Sequence, residues 1–159
     1  MPLVIAPADL TDPRLHALLR DHLADMAPTA PPESRHALDL TGLAAPGVQL
    51  WAAESDGELV GTVALAPVAG AEGGRHLELK SMRTDPARRG EGIGAALLVH
   101  ALGQARTQGA ERVSLETGTA EFFAPAHRLY RRHGFTPCPP FGAYVEDPHS
   151  RFLTLAVPG

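Results

Sequence analysis

The run Arg89-Gly90-Glu91-Gly92-Ile93-Gly94-Ala95, with Arg88 just ahead of it, carries the strongest chemical signal in this chain. Glycines at alternate positions let main-chain N–H groups approach an anion with no Cβ in the way. A helix starting at the same place adds the partial positive charge of its N-terminus. Arg88 and Arg89 can add charge-assisted bonds to phosphate oxygens. The chemistry on offer is therefore the binding of a phosphorylated ligand, and the plain alternative is a tight strand-to-helix connection without one. Gly90-x-Gly92-x-x-Ala95 also fits the dinucleotide fingerprint, with Glu116 near the spacing of a ribose-binding acid. Against that reading, Asp85 to Arg89 stand between the glycines and the preceding strand, whereas a dinucleotide turn follows its strand almost directly. A Walker A loop fails, because no Gly-Lys-Ser/Thr is present.

Other reactive side chains offer less. The eight histidines are scattered without metal-ligand spacing, so no metal is expected. Cys138 stands between two prolines with no base partner in view, which argues against a nucleophile.

The elements that must position the glycine run can be read from periodicity. Leu3 to Ala6 is a short strand. Asp12 followed by Pro13 starts a helix, with Leu15, Leu18, Leu19, Leu23 and Met26 along one face, and Pro28 ends it. A stiff connector from Pro28 to Pro32 leads to a shorter helix over about Ser34 to Leu43. Val48 to Glu54 and Glu58 to Ala66 read as strands joined through Ser55-Asp56-Gly57, a strong hairpin signal. Arg75 to Thr84 alternates, placing Leu77, Leu79 and Ser81 on one face and Glu78, Lys80 and Met82 on the other. After the glycine run, Gly92 to Gln108 is a helix with Ile93, Leu97, Ala101 and Ala105 as its buried stripe. Arg112 to Thr117 is a strand, Phe123 to His133 a helix closed by Gly134, Phe135 to Cys138 is extended, and Ser150 to Val157 is a last strand. The order predicts an α/β (α+β) mixed sheet, largely antiparallel in its first half, in one domain over residues 1–159.

With these elements in place, the sequence resembles the GNAT superfamily of N-acetyltransferases. The family's acetyl-CoA signature, Arg/Gln-x-x-Gly-x-Gly/Ala, is matched by Arg89-Gly90-Glu91-Gly92-Ile93-Gly94. Leu129-Tyr130-Arg131-Arg132-His133-Gly134-Phe135 looks like its second signature. A narrower likeness, to a small bacterial branch with unassigned acceptors, runs through Pro32 to Asp39, Leu79 to Thr84, Leu115 to Gly118 and Phe141 to Tyr144. The resemblance covers essentially the whole chain.

It implies a central, mostly antiparallel sheet flanked by helices, in which Arg75–Thr84 splays from Arg112–Thr117 to admit pantetheine. Main-chain groups around Met82, Arg83 and Thr84 would pair with its amides as an added strand would. Arg88, Arg89, Gly90, Glu91, Gly92, Ile93, Gly94 and Ala95 would hold the pyrophosphate. Where family members often carry an asparagine, seven residues before the helix tyrosine, this chain has Phe123, so a polar contact to the cofactor is lost there.

Acetyl transfer to an amine also implies roles for acids and bases. An alkylammonium with a pKa near ~10.4 must lose a proton, and Glu78 and Glu116 are the candidate bases. Tyr130, beside the cofactor, is the candidate acid toward the leaving thiolate. A main-chain N–H near Met82 could meet the developing oxyanion. His36, Trp51, Arg75 and Tyr144 lie on segments that would face the acceptor, with Ser34 and Glu33 nearby. The expected reaction is direct attack by the primary amine of a small molecule in a ternary complex. A protein or peptide acceptor, or a non-catalytic acyl-CoA-binding module, are the alternatives.

Composition sets the outer bounds. In 159 residues, 14 basic against 18 acidic residues give a net charge of −4, which offers no electrostatic argument for nucleic acid or an anionic membrane. No apolar run approaches 18 residues and Met1 to Asp9 lacks a basic run, so neither a span nor a signal peptide is expected. A lone cysteine fits a reducing cytoplasm. Lys80 is the only lysine. A homodimer is left open.

Overall fold

Strand pairing in the computed structural model, which describes residues 2–32, 40–70 and 75–157, starts from the hairpin that Asp56-Gly57 dictates. Both residues take positive φ, 54° and 78°, the requirement of the turn that matches strand twist. They join β2 (Gln49–Ser55) to β3 (Glu58–Pro67). β1 (Val4–Pro7) adds outside β2, and β4 (His76–Thr84) outside β3. After β4 the chain crosses through α3 (Ile93–Thr107) to β5 (Arg112–Gly118). β7 (Ser150–Ala156) pairs with β5, and the two-residue β6 (Thr136–Pro137) closes that edge. The order is β1-β2-β3-β4-β5-β7-β6, with β4–β5 the one parallel pair among the described residues.

Helices cover both faces of this sheet. α3 brings Ile93, Leu97, Leu98, Ala101, Leu102 and Ala105 onto a large core shared with Trp51, Val63, Leu77, Leu79, Val113 and Leu115. Each fully buried leucine there, such as Leu97 or Leu98, contributes roughly 1.5–3 kcal/mol. α4 (Ala124–Arg132) adds Tyr130 to that core. On the other face, α1 (Pro13–Met26) is capped by the Asp12 carboxylate, which accepts the Arg14 N–H. It packs Leu15 and Leu19 on Leu50 and Ala64, with Leu43 of the four-residue α2 (Leu40–Leu43). The expected stripe of α1 is corrected in one place: Leu23 is only half-buried, and His22 is the buried residue of that turn. No described helix is long and apolar enough to cross a membrane.

Two irregularities make the site. In the β3–β4 ladder, Ala64 faces Lys80 and Thr62 faces Arg83, so Val63 alone stands opposite both Ser81 and Met82. This is a bulge. Ser81 carries it with φ 52°, and its carbonyl accepts the Thr62 hydroxyl at 2.8 Å. The extra residue breaks the expected alternation. Met82 joins Leu77 and Leu79 on the α3 core instead of facing away from them, and Arg83 turns to α1. The second irregularity is the end of the β4–β5 ladder at Leu79↔Leu115. Beyond it β4 stays with β3 and β5 stays with β7, so the two strands part.

Candidate functional site

The parting leaves a gap between Lys80–Met82 and Glu116–Gly118, floored by Tyr130 and Ala126 of α4 and flanked by His22 and Met26 of α1. Main-chain groups on facing strand edges have no ladder partner across such a gap, and these edges are the natural seat for an extended ligand.

At its α3 end the gap runs into the glycine loop. Asp85 accepts the Ala87 N–H at 3.0 Å and starts a single 3-10 turn over Pro86–Arg88. Gly90 and Gly92 follow with φ 84° and 80°, conformations that side chains with a Cβ rarely adopt. A Cβ built on either meets nothing within 4 Å, so the space above the loop is open. Gly92 is also the N-cap of α3 and contributes no side-chain cap, which leaves the first N–H groups of that helix to a ligand. A cleft of about 280 Å³ joins Thr84, Arg89, Gly90, Gly92, Gly94 and Phe123 here. Open glycines, unpaired N–H groups and a positive helix end together fit a pyrophosphate.

The two arginines divide their work. The Arg88 guanidinium donates to the Glu91 carboxylate through Nε and Nη2 at 2.9 to 3.1 Å, and Nη2 also reaches Ser55 Oγ at 3.3 Å. It braces the loop against the hairpin rather than pointing a free charge at the cradle. Arg89 is exposed and makes no ion pair among the described residues. Of the pair, Arg89 is the one available to an anion.

Titratable groups line the gap itself. Tyr130 is 6% exposed, with its ring edge against Phe135. Burial first, and the Glu116 charge second, push its phenol pKa upward, so the hydroxyl stays protonated. Glu116 Oε2 accepts the Ser150 hydroxyl at 2.6 Å. Glu78 Oε2 accepts both the Tyr144 hydroxyl and the Lys80 ammonium, the latter at 3.1 Å. Lys80 also donates to the Tyr144 oxygen at 2.9 Å. Burial and then Glu78 push the Tyr144 phenol upward as well. Behind the gap, Arg83 is buried and paired with Asp25 of α1 at 2.9 Å, so its side chain is committed there and only its main chain can serve a cofactor.

Trp51 is corrected. Alternation along β2 puts Leu50 on the α1 face and Trp51 on the α3 face, where it is 6% exposed with its ring edge-on to His100 at 5.3 Å. It is a core residue and does not face an acceptor. Arg75 sits at the closed end of the β4–β5 ladder, in an exposed pair with Glu111 at 3.6 Å. Ser34 and His36 lie outside the described residues. Phe123 borders both clefts, and its ring covers Gly118 so closely that a Cβ there would stand 2.5 Å from Phe123 Cδ2.

Sequence reasoning missed His22 and the partners of Glu78. His22 interrupts a leucine stripe, and a polar residue at a buried helical position was the available signal. Lys80 stands out as the only lysine, but its bond to Tyr144 depends on a segment 64 residues away.

Comparison with known proteins agrees with this architecture. Residues 15–135 match the Acetyltransferase (GNAT) family. The chain is 43% identical over 149 residues to the uncharacterized N-acetyltransferase YedL of Escherichia coli, covering 94% of this chain and 91% of that one. It is 42% identical over 146 residues to the uncharacterized N-acetyltransferase YsnE of Bacillus subtilis, covering 92% and 94%. A crystal structure of a GNAT-family acetyltransferase from Staphylococcus aureus has the same fold, with a TM-score of 0.73 at 19% identity over 98% of this chain and 99% of that one.

Proposed function

The chain belongs to the GNAT acetyltransferase family and is an acetyl-CoA-dependent acetyltransferase; from that premise we propose that its acceptor is the primary amine of a small molecule, attacking directly within a ternary complex. The observation that carries this reading is the parting of β4 from β5 beyond Leu79 and Leu115. It makes one slot that runs from the glycine loop to Glu116 and Tyr130. Acetyl-CoA, when bound, supplies a thioester whose carbonyl carbon takes the amine's lone pair and whose sulfur leaves.

This chain's residues would hold the cofactor and move the protons. The N–H groups of Gly90 to Ala95 and the side chain of Arg89 would hold the pyrophosphate. The main chain of Met82 and Thr84 would pair with pantetheine along the open edge of β4. A bulge leaves its extra residue outside the ladder, and the N–H near Met82 would meet the charge growing on the carbonyl oxygen, an effect worth about 3 kcal/mol. Glu116, fixed by Ser150, would take a proton from the ammonium and pass it to solvent. The buried Tyr130 hydroxyl would give a proton to the departing sulfur and recover one from the attacking nitrogen. The N–C bond forms as the C–S bond breaks; of the two ammonium protons lost, one ends on the thiol and one in water. We assign Glu78 to the acceptor wall, because its Oε2 already accepts two hydrogen bonds from Lys80 and Tyr144.

Calorimetric titration with acetyl-CoA, with NADH as control, followed by thiol release against free amines and against peptides, tests this. Saturable acetyl-CoA binding with release on free amines is expected. Release on peptides alone would overturn the small-molecule acceptor.

A further inference from the structure

A second cavity, of about 350 Å³, lies beside the gap on the α1 face of the sheet. Val68 and Ala69 border it after β3, and Phe141, Ala143, Tyr144 and Val145 border it from the segment between β6 and β7. Glu78 is a wall common to this cavity and the gap, so the two spaces adjoin at the Glu78–Tyr144–Lys80 cluster.

The lining joins apolar and aromatic side chains to two carboxylates, Glu78 and Asp147. The rings of Phe141 and Tyr144 pack edge-on at 5.2 Å and both rest on Phe152 of β7, at 5.9 and 5.5 Å. Val145 is 75% exposed at the mouth, a large apolar side chain in water beside a cavity of ligand size. Three of the nearby carboxylates have partners. Glu78 is matched by Lys80 and Tyr144, Glu116 by Ser150, and Asp147 Oδ1 accepts the His149 N–H at 2.8 Å. These bonds hold the three carboxylates in place, and an apolar group would cover Val145 and stack against the rings.

Resting on the small-molecule acetyltransferase reading above, we infer that this cavity seats the body of the acceptor, and that the acceptor class is a monoamine with an apolar, aromatic or branched body. Its amine passes Glu78 to reach the gap. The cavity thus sets selectivity, and the gap carries out the transfer.

Steady-state thiol release tests the inference with three probes: 2-phenylethylamine, ethylamine as the same amine without the body, and spermidine as a polycation. The native chain should prefer 2-phenylethylamine to ethylamine by about 30-fold in kcat/KM, within the range a hydrophobic pocket achieves. Spermidine should do no better than ethylamine. Ala143→Trp, at an exposed position that narrows the cavity, should lower the 2-phenylethylamine to ethylamine ratio by about tenfold. Calorimetric acetyl-CoA affinity of the same variant reports on its folding. A preference for spermidine, a native ratio near one, or a ratio unmoved in Ala143→Trp overturns the cavity inference alone. Turnover of none of the three amines, with acetyl-CoA still bound, overturns the small-molecule reading with it.

Discussion

Acidification asks His22 to take up a proton where the fold opposes a charge. Its side chain is 9% exposed, its Nδ1 has no hydrogen-bond partner among the described residues, and the Arg83 guanidinium stands near. Burial first, and Arg83 second, push the imidazole from 6.5 down to about 4. The folded value is the lower one, so as pH falls the unfolded chain binds this proton first. Stability from a neutral His22 is intact above about pH 6.5 and is lost progressively down to about pH 4. The loss relative to pH 7 amounts to about 2 kcal/mol at pH 5 and about 3 kcal/mol at pH 4. Urea unfolding at pH 7 and pH 5, for the native chain and for His22→Gln, isolates it. The quantity compared is each protein's change in unfolding free energy between the two pH values, so any direct cost of the substitution drops out. His76 and His127, also pushed down by burial, act in the same direction in both proteins and cancel. The native chain should lose about 2 kcal/mol more than the variant. Equal losses would refute the reasoning, because they would mean that His22 carries its charge in the fold at no extra cost.

Two further outcomes bear on the transfer itself. Tyr130→Phe should lower kcat by about 100-fold while leaving the acetyl-CoA Kd within about twofold, measured by thiol release and calorimetry. An unchanged kcat would move the leaving-group proton to another donor. Gly92→Val puts a β-branched residue at φ 80°, a strain of about 1–2 kcal/mol, and points its side chain into the open cradle. Acetyl-CoA should then bind at least about tenfold more weakly by calorimetry, and equal affinity would remove the pyrophosphate from this loop.

Much of this architecture is legible because its causes are local. Asp56-Gly57 can make only a few turns, Asp12-Pro13 starts a helix by itself, and the glycine run announces an anion cradle wherever it lies. The parting of β4 and β5 is implied by the family resemblance alone, because no periodicity states where a ladder ends. What stayed hidden depends on partners distant in sequence. A one-residue bulge at Ser81 reverses the faces of Met82 and Arg83, and alternation read along one strand cannot show that its neighbour is a residue shorter. The face of Trp51 is ambiguous in the sequence because an aromatic on a strand suits either side; only the positions of α1 and α3 decide which. Arg88 reads as a phosphate ligand from its neighbours, yet Glu91 three residues on engages it first.

The seating of Phe123 on Gly118 ties two positions into one unit of inheritance. A side chain at 118 meets the ring, so a lineage that leaves glycine there must also move or replace the phenylalanine at 123. Relatives that differ at one of these sites should therefore differ at the other, and two residues not adjacent in sequence should read, across a family tree, as a single character.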